Sequence, residues 1–158
     1  MNDASDQKKM RWEQLLNSSR QETEAAIKGV DPLRVVYPAS GWRVKDIIAH
    51  LTVWEVEVVT SLRAYREGRR YTIFNFPGDD VFNQRAYEKA KDYAVEQIYG
   101  DWAAVRAAFL SLLRSLPPER VDGELMAPWG KMTTVDRLVQ DMVDHEIEHR
   151  NDILKILP

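Results

Sequence analysis

A chain of 158 residues with 44% hydrophobic and 30% charged residues has the size and make-up of one globular domain, read here as spanning 1–158. A formal net charge of -3 provides no electrostatic case for nucleic acid, and neither a run of 18 apolar residues nor a charged leader ahead of an apolar core is present, so no membrane partner is expected. With no cysteine, disulfides and cysteine nucleophiles are excluded and a cytoplasmic setting is favoured.

Trp12, Leu15, Leu16 and the alanines near 25 lie at helical spacing, which predicts a first amphipathic helix from Lys8 to Lys28, ended by Gly29 and Pro32. Val35 to Arg43 reads as a loop, because Pro38, Ser40 and Gly41 crowd together there. A second helix is predicted from Val44. Its apolar stripe of Ile47, Ile48, Leu51, Trp54, Val58 and Leu62 runs beside His50, and Gly68 closes it. Arg69 to Asp80 carries Tyr71, Phe74 and Phe76, more rings than an exposed connector usually holds, so it is expected to fold back over the bundle.

Val81 to Gln97 and Trp102 to Leu116 both read as helical, as two helices or one kinked helix, and Pro117 and Pro118 stop the second. A long loop then reaches Met132. Thr133 or Thr134 can cap the last helix, with Asp136 placed as in a capping box built on Thr133. Leu138, Met142, His145, His149, Ile153 and Ile156 follow on one side, so two histidines interrupt an apolar stripe. Four major helices with buried stripes imply a bundle.

The chain has three histidines, and all fall on these two helices. His145 and His149 are four residues apart and so face the same way, with Cβ atoms about 5–6 Å apart. His50 on a facing helix would complete a trihistidine set that leaves coordination positions for water or substrate. Imidazole suits zinc, nickel or iron, so the expected cofactor is a divalent metal ion of one of these kinds. HEIEH also fits the H-E-x-x-H zinc-protease pattern, with Glu146 as general base. Only nine residues follow His149 and none is histidine, so the third ligand must come from far upstream, which points to a bundle site in place of a protease scaffold. Glu57, two turns after His50, is a second acid that can face the same cavity, while Glu55 is expected to be rotated away; an ordinary surface acid is the alternative reading for either. Trp54, Trp129 and Lys131 are candidate walls or rim, and Asn83, Arg85 and Tyr87 are candidates to bind a polar substrate, with a solvated helix start as the alternative.

GWRVKDIIAHLTVWE, DDVFNQRAYEKA and PWGKMTTVDRLVQDMVDHEIEHRNDI together resemble the DinB-like superfamily, especially its ClbS/DfsB-like branch, over about residues 8 to 155. The resemblance implies an all-α, DinB-like four-helix bundle with long connecting loops, an additional short helix and an up-up-down-down or otherwise crossed order, often as a homodimer. It implies a divalent metal held by His50, His145 and His149. Related proteins include thiol S-transferases, a thiol-dependent isomerase and a hydrolase. The function implied is activation of a low-molecular-weight thiol for transfer to a small electrophile. A hydrolase with Glu146 or Glu57 as proton acceptor, and a non-catalytic metal-binding protein, are the alternatives.

Overall fold

The computed structural model describes residues 3–158. Four long helices dominate it, α1 (Asp3–Ile27), α2 (Val44–Arg66), α4 (Val95–Arg114) and α6 (Val135–Lys155), with two shorter ones, α3 (Asp79–Ala90) and α5 (Pro118–Val121). The segment predicted to hold one kinked helix or two holds two. The chain turns at residues 91–94, so α4 begins seven residues earlier than the Trp102 run suggested and carries Gly100 in its interior. A lone glycine inside a helix costs only about 1 kcal/mol against alanine, and Ile98, Trp102, Val105 and Phe109, all buried along one face, outweigh it.

Two apolar layers make up the core. One contains Leu16, Leu62, Phe109, Leu113, Leu138 and Val139, and the other contains Ile27, Ile47, Ile48, Ile98, Trp102 and Ile153. Reading each helix from its N-terminus, α1 and α6 pass from the first layer to the second, while α2 and α4 pass from the second to the first. The bundle is therefore up-down-down-up, one of the crossed orders and not up-up-down-down. α1 packs on α6 and α4, and α2 packs on α4 and α6, which leaves α1 and α2 on one diagonal and α4 and α6 on the other.

Two hairpins replace what the sequence presented as loops. β1 (Val35–Tyr37) pairs antiparallel with β2 (Trp42–Arg43), and β3 (Glu124–Met126) with β4 (Met132–Thr134). Gly41 closes the first hairpin at φ 75°, and its N–H donates to the Tyr37 carbonyl at 2.8 Å; a side chain there would be strained by about 1–2 kcal/mol. The tight turn sets Tyr37 and Trp42 at the start of α2. The second hairpin leads straight into α6, whose cap is Thr134, its hydroxyl accepting from the Arg137 N–H at 3.2 Å. Asp136 is thus not part of a capping box. Its carboxylate instead accepts from the Trp12 indole and ties α6 to α1.

The aromatic connector does fold back: the Ile73 N–H donates to the Pro128 carbonyl at 2.8 Å, and Phe76 packs against Trp54 and Phe82. Phe74, however, is 89% exposed. No helix among the described residues is long and apolar enough to cross a membrane.

Candidate metal centre

Helical periodicity places His145 and His149 on the α6 face that meets α2, and His50 faces them from α2. The three ring centroids form an equilateral triangle with sides of 4.8 Å, and each pair of rings is close to perpendicular, at 75°, 82° and 73°. One ligand nitrogen from each ring lies within 4.8 Å of the others. Nε2 of His50 and Nε2 of His145 stand 2.9 Å apart. Two nitrogen donors about 2.1 Å from a common ion and at a right angle around it would be separated by about 3 Å. The His50–His145 separation therefore suits two donors to one divalent ion, and His149 stands in the same cluster as a third.

The outer edge of His149 is held by protein. Tyr37 lies 2.6 Å from Asp152 and 2.8 Å from Nδ1 of His149. The Tyr37 hydroxyl and Lys155 hold the Asp152 carboxyl below its usual range against the opposing effect of burial. As a carboxylate it can only accept, so the single Tyr37 proton goes to Asp152 and the Tyr37 oxygen accepts from Nδ1–H of His149. That assigns the lone pair of His149 to Nε2, which is the arrangement metal-bound histidines favour. Tyr37→Phe is expected to weaken metal affinity about 10–100-fold without changing the helix content, as measured by competition with a chromophoric chelator.

Burial and the two neighbouring imidazoles push the His50 pKa down to about 2, and burial with His149 pushes His145 down to about 4. Burial also lowers His149, against the opposing pull of Glu148 and Asp152. All three are consequently neutral donors at pH 7. The unfolded chain protonates its histidines near 6.5, so below that pH the unfolded state binds more protons than the native state. Stability of the metal-free protein should be full above about pH 6.5 and fall as pH drops toward 4, by up to about 1.4 kcal/mol per pH unit per histidine. Thermal melts from pH 7.5 to 4 would show it; a melting temperature flat over that interval would contradict the assignment.

An open cavity of about 760 Å³ sits over the histidines, walled by Trp42, Trp54, Phe76 and Trp129. Asp79, Asp80, Asp141 and Glu148 supply carboxylates to its lining, against the single ammonium of Lys131. Among the residues suggested by sequence, Asn83 lines this cavity and accepts a 2.8 Å hydrogen bond from the Trp54 indole. Tyr87 stacks on Trp42 with centroids 5.5 Å apart, and Arg85 faces a different groove, between α2, α3 and α4.

The two acids proposed for proton transfer lie elsewhere. Glu146 is 1% exposed and pairs with Arg106 at 2.7 Å and Arg20 at 3.4 Å. One residue beyond His145 is 100° further around the helix, which turns Glu146 from the α2–α6 seam to the bundle axis. Glu57 accepts from the Tyr71 hydroxyl at 2.6 Å and lines the Arg85 groove. Its side matches that of His50, but two turns amount to about 10.5 Å along the axis. Glu55, rotated away from the histidines as expected, is not a surface acid: it is 2% exposed and pairs with Arg106 at 2.5 Å and Arg20 at 3.3 Å.

Tyr37 and Trp42 were hidden from sequence reading because they lie in a stretch that looks like a loop. Arg20 and Arg106 were hidden because an arginine on an amphipathic helix ordinarily faces water. The one available signal was position: Arg20 and Arg106 stand four residues from Leu16 and Trp102 and so continue buried stripes.

Compared with known families, residues 15–153 match the description of the DinB superfamily. No curated protein and no solved structure matches the chain.

Proposed function

We propose that this chain, which belongs to the DinB superfamily, holds one divalent metal ion on His50, His145 and His149 and activates a low-molecular-weight thiol for transfer to a small electrophile. The observation that carries the metal reading is the 4.8 Å triangle of near-perpendicular imidazoles. Neutral imidazoles suit zinc, nickel or iron. When bound, such an ion supplies Lewis acidity that lowers the pKa of a thiol or water in the positions the protein leaves open.

The thiol reading rests on the resemblance to the ClbS/DfsB-like branch and on the absence of cysteine from the chain, which requires the sulfur to arrive with a cosubstrate. Residues of the chain have the tasks of binding and orienting. Trp42, Trp54, Phe76 and Trp129 offer flat apolar surfaces to a small organic electrophile. His50, His145 and His149 remain unprotonated through neutral pH, and Tyr37 holds His149 in its donor orientation. The carboxylates at the cavity rim favour neutral or cationic substrates over polyanions.

One observation favours hydrolysis as a second reading. Asp141 lines the cavity and burial raises its carboxyl pKa against the pull of Arg137, which is a property of a general base. Exposed Val56 and Phe74, at 45% and 89%, both lining the groove between α2, α3 and α4, support a homodimer, and a cytoplasmic setting completes the proposal.

Cobalt-substituted protein titrated with small thiols under anaerobic conditions tests the function. A sulfur-to-cobalt absorption band that saturates with thiol is the expected result. Protein that takes up no metal after reconstitution overturns the metal reading. Metal uptake with no thiol band, together with thiol-independent turnover, moves the assignment to hydrolysis.

A further inference from the structure

Four buried charges, one from each long helix, close into a ring at the bundle axis. Arg20 of α1, Glu55 of α2, Arg106 of α4 and Glu146 of α6 are 6%, 2%, 4% and 1% exposed. The pairs run Arg20–Glu55 at 3.3 Å, Glu55–Arg106 at 2.5 Å, Arg106–Glu146 at 2.7 Å and Glu146–Arg20 at 3.4 Å. Two guanidiniums and two carboxylates leave no net charge. The arginines also cross-bond the helices that carry no histidine: Arg20 donates to the Trp102 carbonyl at 2.9 Å and Arg106 to the Leu16 carbonyl at 2.7 Å. Arg20 lies 3.9 Å over the Trp102 ring as well.

The distribution of sign across the helices is what matters. Both carboxylates come from the histidine-bearing helices and both guanidiniums from the other two. Each arginine therefore grips one acid of α2 and one acid of α6 at once. Glu146 follows His145 directly, and Glu55 lies five residues after His50, between the two apolar layers. Apolar contacts are non-directional and tolerate repacking when volume is kept, whereas guanidinium–carboxylate pairs fix both distance and angle. Sliding α2 against α6 by a fraction of a turn would break the ring on both arginines.

Resting on the metal reading above, we propose that Arg20, Glu55, Arg106 and Glu146 are positioning residues for the metal centre. Their ring locks the register of α2 against α6 and so holds His50 at ligand distance from His145 and His149 before any ion arrives. A ring serving stability alone would be dispensable, because apolar side chains of similar volume commonly replace buried ion pairs with no loss of stability.

Two kinds of variant separate these roles. In the first, Glu55→Gln or Glu146→Gln keeps shape and removes one charge. In the second, Arg20→Met, Glu55→Met, Arg106→Met and Glu146→Met together remove the ring and keep the volume. Metal affinity by chelator competition and the cobalt d–d spectrum are read below each protein's melting temperature, where circular dichroism shows the helices intact. The expected result is a loss of affinity of about 10–100-fold, the range seen when groups supporting metal ligands are removed, with an altered cobalt spectrum, including in a quadruple variant that melts near the wild type. Wild-type affinity and spectrum in the folded quadruple variant would overturn the positioning role while leaving the metal reading intact. If the quadruple variant does not fold, the same outcome in both glutamine variants is equally decisive. Absence of metal binding in the wild type would overturn the metal reading itself.

Discussion

Replacing His50, His145 or His149 with alanine should each remove most of the metal affinity, on the order of a hundredfold or more, and leave most of the helix content in place. The size of the effect follows from the number of ligands. With three protein donors, losing one takes away a third of the protein's hold on the ion. The fold survives because a chain of this length buries roughly 68–70% of its unfolded surface without metal, and the two apolar layers of the core contain no histidine. Equilibrium titration with a competing chelator, alongside far-ultraviolet circular dichroism, measures both quantities. A His50→Ala protein that binds as tightly as the wild type would refute the shared site, because His50 alone bridges from α2 to the pair on α6.

Arg106→Met should be the most destabilising single change at an arginine, by about 3–5 kcal/mol, since removing one partner strands buried charge. Arg106 bonds Glu55 at 2.5 and 3.2 Å and Glu146 at 2.7 Å. Without it, two carboxylates that are 2% and 1% exposed share only Arg20, whose contacts to them are the longer ones at 3.3 and 3.4 Å. For a protein of this length, the loss corresponds to a melting temperature lower by roughly 6–20 °C. Arg114→Met provides the contrast. Arg114 pairs with Glu13 on the surface, its side chain 57% exposed, and exposed pairs contribute about 0–1 kcal/mol. Calorimetry of the two variants side by side should show a large drop for the first and little for the second; equal drops would refute the burial argument.

The two changes act on opposite sides of the same seam. His50 and Glu55 are five residues apart on α2, and His145 and Glu146 are neighbours on α6, yet one of each pair faces the cavity and the other faces the axis. A helix turns 100° per residue, so neighbouring residues readily have different surroundings. Glu146 illustrates the consequence. Its place in an H-E-x-x-H string suggested a proton acceptor, and the turn from His145 carries its carboxylate into the arginine ring instead.

Much of the fold could be read along the chain. Apolar residues at three- and four-residue spacing marked α1, α2, α4 and α6, and Pro117 and Pro118 marked the end of α4. Periodicity records which side of a helix is buried, and burial is the main contribution to helix stability in a folded protein. The hairpins were not legible, because a strand of two or three residues, such as Trp42–Arg43, is too short to show any alternation. Its pairing with Val35–Tyr37 is decided by the turn at Gly41 and by the helices it packs on. The α3–α4 boundary was ambiguous for a related reason: residues 91–94 carry neither glycine nor proline, and the turn there is made by packing.

The sequence alone determined that this is an all-α chain of the DinB superfamily with its only three imidazoles on two helices, two of them one turn apart. Those facts depend on residue identity and local spacing, which a linear string records in full. Only the tertiary structure decided that the imidazoles converge in a 4.8 Å triangle, that Tyr37 orients one of them, and that Glu55 and Glu146 pair with arginines from the other two helices. Apart from the His145–His149 side of the triangle, those relations join residues 35 to 126 positions apart. Their geometry depends on the rotation and register of whole helices, set jointly by every side chain between them.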